Sequence, residues 1–331
     1  MHLIELSGDA AQMGTQHGTL LRKASRLPAP DPKMLRFAKE CEKLMEQHAP
    51  HLLEELHALG KSAGWRFDAL LTLSLTAPFD PRRVPEAACS VVAVLPERTA
   101  DGRMIVGRNY DYYHDVSKEG AATYRTYPQE GYASLGCSDI WVGRADGLND
   151  AGLFVGIAAL FLPWLQPGLA FWFIVRLALE RCATVEEGVD LISSLPHAGS
   201  WTYLLADSSG RAAVLEPGPG GVSLRYPEDG LLVMTNHAVC PQLVGQEAYV
   251  PPDSRRRYRR LKELLGGEPN VDLETVRTAL RDHTGLVCAH GNPASERKFG
   301  TLWSLVGRPG DLQLEIAPGN PCMAGYKTIS F

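Results

Sequence analysis

Ala87-Ala88-Cys89-Ser90-Val91-Val92-Ala93-Val94 is the stretch on which the fold of this chain turns. It reads as a strand that a cysteine opens, and the chain returns in a second strand through Asp101-Gly102-Arg103-Met104-Ile105-Val106-Gly107-Arg108-Asn109-Tyr110-Asp111. A turn around Thr99 to Arg103 joins the two as a hairpin, which brings the Arg-Asn-x-Asp end of the second strand back beside Cys89. Before Cys89 the chain reads helical, with apolar residues at three-to-four spacing over Pro32 to His48 and Pro50 to Gly64, and a Pro-rich stretch at Pro78, Pro81 and Pro85 closes that part. After Cys89 short strands dominate, at 89–95, 103–109, 121–127, 139–143 and 152–158. Helices at Ala170 to Cys182 and Val185 to Ser194 follow, then strands at 202–207, 212–216, 222–226 and 231–235. Helices at Ser254 to Leu265 and Leu273 to His283 precede two last strands, 301–306 and 312–316. Runs of strands alternating with pairs of helices predict an α+β sandwich of two antiparallel sheets covered by helices.

A chain of 331 residues, 45% of them hydrophobic, is ample for a buried core. The formal net charge of −5 argues against a nucleic-acid partner. The start, Met1-His2-Leu3-Ile4-Glu5-Leu6, turns polar too soon for a signal segment, and the longest apolar stretch, Leu153 to Leu165, is interrupted by Gly and Pro. A cytoplasmic protein without a membrane partner is the expectation. Seven cysteines at scattered positions do not read as a disulfide framework. His237 with Cys240, and Cys288 with His290, are the His/Cys pairs close in sequence, but neither has the C-x-x-C spacing on which a zinc assignment rests. Gly8, Gly14 and Gly18 lack the strand and spacing of a dinucleotide loop, so neither metal nor cofactor is expected.

A thiol attacks as thiolate, and an unassisted cysteine holds little of it at neutral pH. If the bond between Ala88 and Cys89 is cut, the freed α-amine lies within reach of its own side chain and can take the proton. Taken alone, Cys89 reads first as a small core residue that opens a strand. Arg108 and Asp111 bear on the choice: Asp111 is placed to hold the amine and Arg108 to lower the thiol's pKa, unless the two form an ordinary surface ion pair.

With Gly14-Thr15-Gln16-His17-Gly18, Asp146-Gly147-Leu148-Asn149-Asp150-Ala151-Gly152-Leu153, Thr235-Asn236-His237 and Thr301-Leu302-Trp303-Ser304 in order around this hairpin, the chain resembles the cysteine N-terminal-nucleophile (Ntn) hydrolases. Within them it is similar to the isopenicillin N acyltransferase-like (acyl-CoA:6-aminopenicillanic acid acyltransferase) family, relatives of penicillin V acylase and bile salt hydrolase. The resemblance implies a four-layer αββα sandwich, self-cleavage between Ala88 and Cys89, a pro-segment or small subunit of residues 1–88 that stays as a partner, and a catalytic segment of residues 89–331. It implies Cys89 as nucleophile with Arg108 and Asp111 beside it, Asn236 as the oxyanion side chain, the backbone N–H of Ala159 as second oxyanion donor, and Arg297 as a late arginine near the nucleophile. The substrate class implied is a small acyl-amide or acyl-thioester, with water or an amine as acceptor. Ala88 stands where the penicillin-forming acyltransferase has glycine, and Ser90 where threonine is frequent. The rival expectation is an unprocessed, non-catalytic binding protein on the same fold.

Two further features have double readings. The basic run Ser254 to Lys262 reads as a solvated helix face with Tyr258, Leu261, Leu264 and Leu265 turned inward, and one of its arginines is available to a substrate carboxylate. Trp164, Phe171, Trp172 and Phe173, with Tyr112 and Tyr113, suit either core packing or an apolar acyl pocket.

Overall fold

A computed structural model describes residues 1–22, 24, 27–77, 88–114, 121–267, 269–291 and 298–331. The expected hairpin is β2 (Ala88–Val94) with β3 (Ile105–Tyr113), paired antiparallel with Cys89 opposite Tyr110 and Val94 opposite Ile105. All seven residues of β2 are buried, which a strand covered on both faces requires. Cys89, Val91 and Ala93 point to a second sheet, while Val92 and Val94 point to helices. This sheet has six strands in the order β11-β2-β3-β12-β13-β14, where β11 is Leu231–Met234, β12 Phe299–Arg308, β13 Gln313–Pro318 and β14 Lys327–Ser330.

The facing sheet has eight strands. They are β1 (His2–Gly8), β4 (Ala122–Pro128), β5 (Ser134–Ser138), β6 (Asp146–Asn149), β7 (Leu153–Ala159), β8 (Trp201–Asp207), β9 (Ala212–Gly218) and β10 (Gly221–Arg225), in that spatial order. The N-terminal part contributes α1 (Ala10–Leu20), α2 (Pro32–His48), α3 (Pro50–Ala63) and α4 (Phe67–Thr76). Helices α5 (Phe171–Arg181) and α6 (Val185–Ser194) pack on the eight-stranded sheet, and α7 (Ser254–Leu265) and α8 (Leu273–Leu280) on the six-stranded one. The layers therefore run helix, sheet, sheet, helix, which is the α+β sandwich expected.

Three local expectations are corrected. The first 88 residues are not helical throughout, because His2–Gly8 forms an edge strand that pairs in parallel with β4, the one parallel pairing among the described strands. Residues 139–143 are a buried loop instead of a strand: the carbonyls of Trp141, Val142 and Gly143 all turn onto the Arg144 guanidinium, which an alternating strand cannot do. The helix expected to reach His283 stops at Leu280.

The motif Gly14-Thr15-Gln16-His17-Gly18 has a packing role. A Cβ on Gly14 would come within 2.2 Å of the Glu55 carbonyl and one on Gly18 within 2.4 Å of the Leu59 carbonyl, so α1 and α3 touch through their backbones. Phe171, Trp172 and Phe173 are core: Phe171 stacks on Trp201 at 3.9 Å and the Trp172 indole N–H donates to the Ser74 carbonyl at 2.8 Å. Trp164 packs, partly buried, on a small apolar cluster around Leu160 and Leu162. Among the described residues no helix is long and apolar enough to cross a membrane.

Candidate active site

Cys89 sits second in β2 and is 2% exposed. Its side chain shares the sheet-to-sheet face with Val91, and across the hairpin Arg108 and Tyr110 share that face. One Arg108 guanidinium nitrogen lies 3.9 Å from the Cys89 Sγ. The other donates to the Ala145 carbonyl at 2.8 Å and to the Asp146 carboxylate of the facing sheet. Asp146 also accepts the Cys137 N–H at 2.9 Å and the Trp303 indole N–H at 2.7 Å. The guanidinium lies 4.8 Å from the Tyr110 ring, which stacks on Trp303 at 4.0 Å. Two motifs quoted from the sequence without a role, Asp146-Gly147 and Leu302-Trp303, thus meet at Arg108.

On the opposite face of β3, Asp111 lies across the ladder from Ala88. Its Oδ1 accepts from the Thr301 hydroxyl at 2.7 Å, and its Oδ2 is buried without a hydrogen-bond partner. Burial lifts this carboxyl from the ordinary range to about 7, against the pull of Arg257 and of the Thr301 hydroxyl. Burial also pushes the Cys89 thiol up, with Arg108 drawing it down and Asp111 adding to the rise.

β11 runs antiparallel to β2 and ends with Met234 opposite Val91, so the residues that follow come level with Cys89. There Asn236 Oδ1 accepts the Cys89 N–H at 2.7 Å, and Asn236 Nδ2 donates to the Ala159 carbonyl, at the end of β7, at 3.0 Å. The first residue of α7, Ser254, fixes this turn: its Oγ accepts the Asn236 N–H at 2.8 Å and meets His237 Nδ1 at 2.9 Å. Burial, then Arg255, lowers the His237 pKa to about 4, so the ring is neutral at neutral pH.

The structure brings Cys89, Arg108, Asp111, Asn236 and Ala159 together. Arg297 lies outside the described residues. Besides Arg108, Arg257 reaches Cys89, from the basic run expected to be solvated, and that expectation is corrected there. Its guanidinium is fully buried and donates to the Cys89 carbonyl, to Ser90 Oγ at 3.1 Å and to Asn236 Oδ1 at 2.9 Å. Asp253 Oδ2 accepts from its Nε at 3.2 Å. The signal was in the sequence: Ser254, Arg257, Leu261 and Leu265 fall on one face at three-to-four spacing, and all four are buried. Burying a guanidinium is costly unless it is hydrogen-bonded and compensated; here Asp253 supplies the opposite charge and the other three bonds run to Cys89, Ser90 and Asn236.

Residues 98–322 match the family described as acyl-coenzyme A:6-aminopenicillanic acid acyl-transferase, a stretch that begins just after Cys89. A protein of Archaeoglobus fulgidus, described as uncharacterized, is 24% identical over 337 residues, covering 82% of this chain and 56% of the relative. The chain thus spans about half the length of that curated relative. Among solved structures, penicillin V acylase from Agrobacterium tumefaciens superposes with a TM-score of 0.54 at 17% identity, over 73% of this chain and 86% of that one. A Caenorhabditis elegans N-acylethanolamine-hydrolyzing acid amidase ortholog gives 0.49 at 18% identity, over 67% and 93%. The first likeness is one of fold, the Ntn-hydrolase sandwich.

Proposed function

The chain belongs to the acyl-coenzyme A:6-aminopenicillanic acid acyl-transferase family, and from that premise we propose that it is a self-processing cysteine Ntn amidohydrolase or acyltransferase acting on a small acylated amide or thioester. The observation that carries this reading is the 2.7 Å hydrogen bond from the Cys89 N–H to Asn236 Oδ1, made while Arg108 stands beside the Cys89 thiol. The backbone nitrogen that must become the base and the thiol that must become the nucleophile are each already met by a polar partner.

Processing begins when Cys89 Sγ attacks the Ala88 carbonyl carbon. The Ala88–Cys89 C–N bond breaks, the nitrogen leaves as the Cys89 amine with the thiol's proton, and water hydrolyses the resulting thioester to free thiol and an Ala88 carboxylate. The new ammonium is the donor that the buried, unpartnered Asp111 Oδ2 calls for. In turnover the α-amine takes the thiol proton, the thiolate attacks the acyl carbon, and the oxyanion is met by Asn236 Nδ2 and the Ala159 N–H. The α-ammonium then protonates the leaving amine, and water or an acceptor amine resolves the acyl-enzyme. Arg257 fixes the Cys89 carbonyl and Asn236 Oδ1 in one grip, and Nδ2, which donates one hydrogen to the Ala159 carbonyl, keeps its second hydrogen for the oxyanion.

Residues 1–88 stay seated after cutting in this reading, because β1 remains in the eight-stranded sheet and Glu55 of α3 pairs with Arg176 of α5, both fully buried. Intact mass spectrometry of the purified protein tests the proposal: a fragment that begins at Cys89 is expected from the wild type and none from Cys89→Ala. A wild-type chain that stays whole and takes no acyl label on Cys89 overturns it in favour of a non-catalytic binding protein.

A further inference from the structure

After α8 the chain runs through His283, Cys288 and His290, and Cys322 comes up beside them from the turn before β14. Their donor atoms all lie within 4.8 Å of one another. Cys288 Sγ is 3.6 Å from Cys322 Sγ and 3.6 Å from His290 Nε2, while His290 Nε2 is 3.2 Å from both Cys322 Sγ and His283 Nε2. A tetrahedral zinc ion with bonds of ~2.3 Å to sulfur and ~2.05 Å to nitrogen sets its ligands apart by roughly 3.8 Å for S to S, 3.6 Å for S to N and 3.3 Å for N to N. The four separations lie within a few tenths of an ångström of those edges.

We propose that His283, Cys288, His290 and Cys322 form a closed His2Cys2 zinc site with a structural role. Two sulfurs and two imidazoles, with four of their six separations near tetrahedral edges and the rest within 4.8 Å, are the donor set that selects zinc over the harder divalent ions. Four protein ligands leave no open position, so the ion fastens the chain and does no chemistry. On binding, both thiols give up their protons and the two thiolates balance the ion's charge.

The surrounding hydrogen bonds aim the ligands independently of the metal. Asn320 Nδ2 reaches the Ala289 carbonyl at 2.6 Å and Cys288 Sγ at 3.5 Å, and Arg281 Nε donates to the Pro321 carbonyl at 3.1 Å, which together tie the Cys322 turn to the other three ligands. The Cys288 N–H donates to the Asp282 carbonyl at 3.0 Å. Such outer bonds orient first-contact ligands in metal sites. The same loop is fixed to the candidate active site. Asn109 Nδ2 donates to the Val287 carbonyl at 2.9 Å, and the Ala289 N–H donates at 3.1 Å to the Thr301 hydroxyl that in turn donates to Asp111. Zinc here braces the loop against β3 one step behind Asp111.

The full-length chain, purified under reducing conditions without chelator, is expected to carry one zinc per molecule by elemental analysis. The Cys288→Ser/Cys322→Ser double variant is expected to lose it. Chelator-treated wild type, still folded by circular dichroism, is expected to take up one equivalent of cobalt(II) anaerobically, with thiolate-to-metal charge transfer and the strong visible bands of a tetrahedral ion. His283→Ala changes only an exposed ligand, so it keeps the fold and is expected to shift those visible bands. Any of three results overturns the site: reduced wild type that binds neither ion stoichiometrically, a double variant that retains full zinc, or a Cys288–Cys322 disulfide whose reduced form takes up no zinc.

Discussion

The Arg108 guanidinium crosses from β3 to the Asp146 carboxylate on the facing sheet, and both side chains are wholly excluded from solvent. Removing either charge strands the other in a low dielectric, at a cost of about 3–5 kcal/mol. Both Arg108→Met and Asp146→Asn should therefore lower the urea midpoint of an uncut chain. Their effects on the thiol should be opposite in sign, since Arg108 draws the Cys89 pKa down and Asp146 shields that charge. The pH dependence of Cys89 alkylation is expected to move upward in Arg108→Met and downward in Asp146→Asn. A shift in the same direction for both would mean that damage to the fold, and not charge, governs the thiol.

Asp111 gives the uncut chain a pH-dependent stability. Its folded pKa of about 7 stands above the ordinary value of 3.8, so the folded state holds the proton more tightly. The resulting stability is fully present below about pH 4 and is lost as pH rises through about 7, amounting to a few kcal/mol. Buried His17, lowered to about 3 by burial and then by Arg144, works in the other sense and loses stability as pH falls. The measurement is thus a difference: urea unfolding of Cys89→Ala against Cys89→Ala/Asp111→Asn from pH 4 to 8. The gap in favour of Asp111 should close as pH rises, and a flat gap would remove this residue from the account.

How much of this site was legible beforehand differed from residue to residue. The hairpin of Cys89 and Arg108 was readable because alternation and a turn are local signals, and its register followed. β1 escaped because a lone edge strand paired with β4, more than a hundred residues away, carries too little apolar alternation to separate it from the helices around it. Arg257 was hidden in a run of arginines, where charge suggested solvent while helical spacing pointed inward. The partnership of Asp146 with Arg108 depends on how two sheets stack, which no local pattern encodes. Likewise His283 and Cys322 do not belong to either short His/Cys spacing in the sequence, and only the return of the chain before β14 joins them to Cys288 and His290.

Asn236 is expected to limit both processing and turnover. Replacement by alanine removes the acceptor of the Cys89 N–H and the Nδ2 donor together. A lost oxyanion donor alone slows reaction on the order of a hundredfold or more. The fraction of Ala88–Cys89 bonds cut at fixed times after synthesis should fall by at least that factor in Asn236→Ala. Ser254→Ala should fall less, because it loosens the turn through the Asn236 N–H, Thr235 and His237 but leaves both bonds of the Asn236 amide in place. Equal cutting in wild type and Asn236→Ala would show that this amide is not the oxyanion donor of the first step.

The bonds that cross the proposed cut decide what happens to residues 1–88. Arg176 meets Glu180 at 2.6 Å and Glu55 at 3.4 Å, His51 meets Glu180 at 2.8 Å, and the Trp172 indole holds the Ser74 carbonyl. Only Glu55, His51 and Ser74 belong to the N-terminal piece, so the cluster is a buried junction between the two products. Glu55→Ala leaves Arg176 its second carboxylate, and the loss in the uncut Cys89→Ala background should be on the order of 2 kcal/mol, below the ~3–5 kcal/mol of a fully orphaned charge. Arg176→Met orphans Glu55 and leaves Glu180 with His51 alone, and should cost more. In the cut wild type the two pieces are expected to elute together by gel filtration and to part only in denaturant, at a lower urea concentration for Glu55→Ala than for wild type. Separation of wild-type pieces in plain buffer would show that this junction does not hold the N-terminal piece in place.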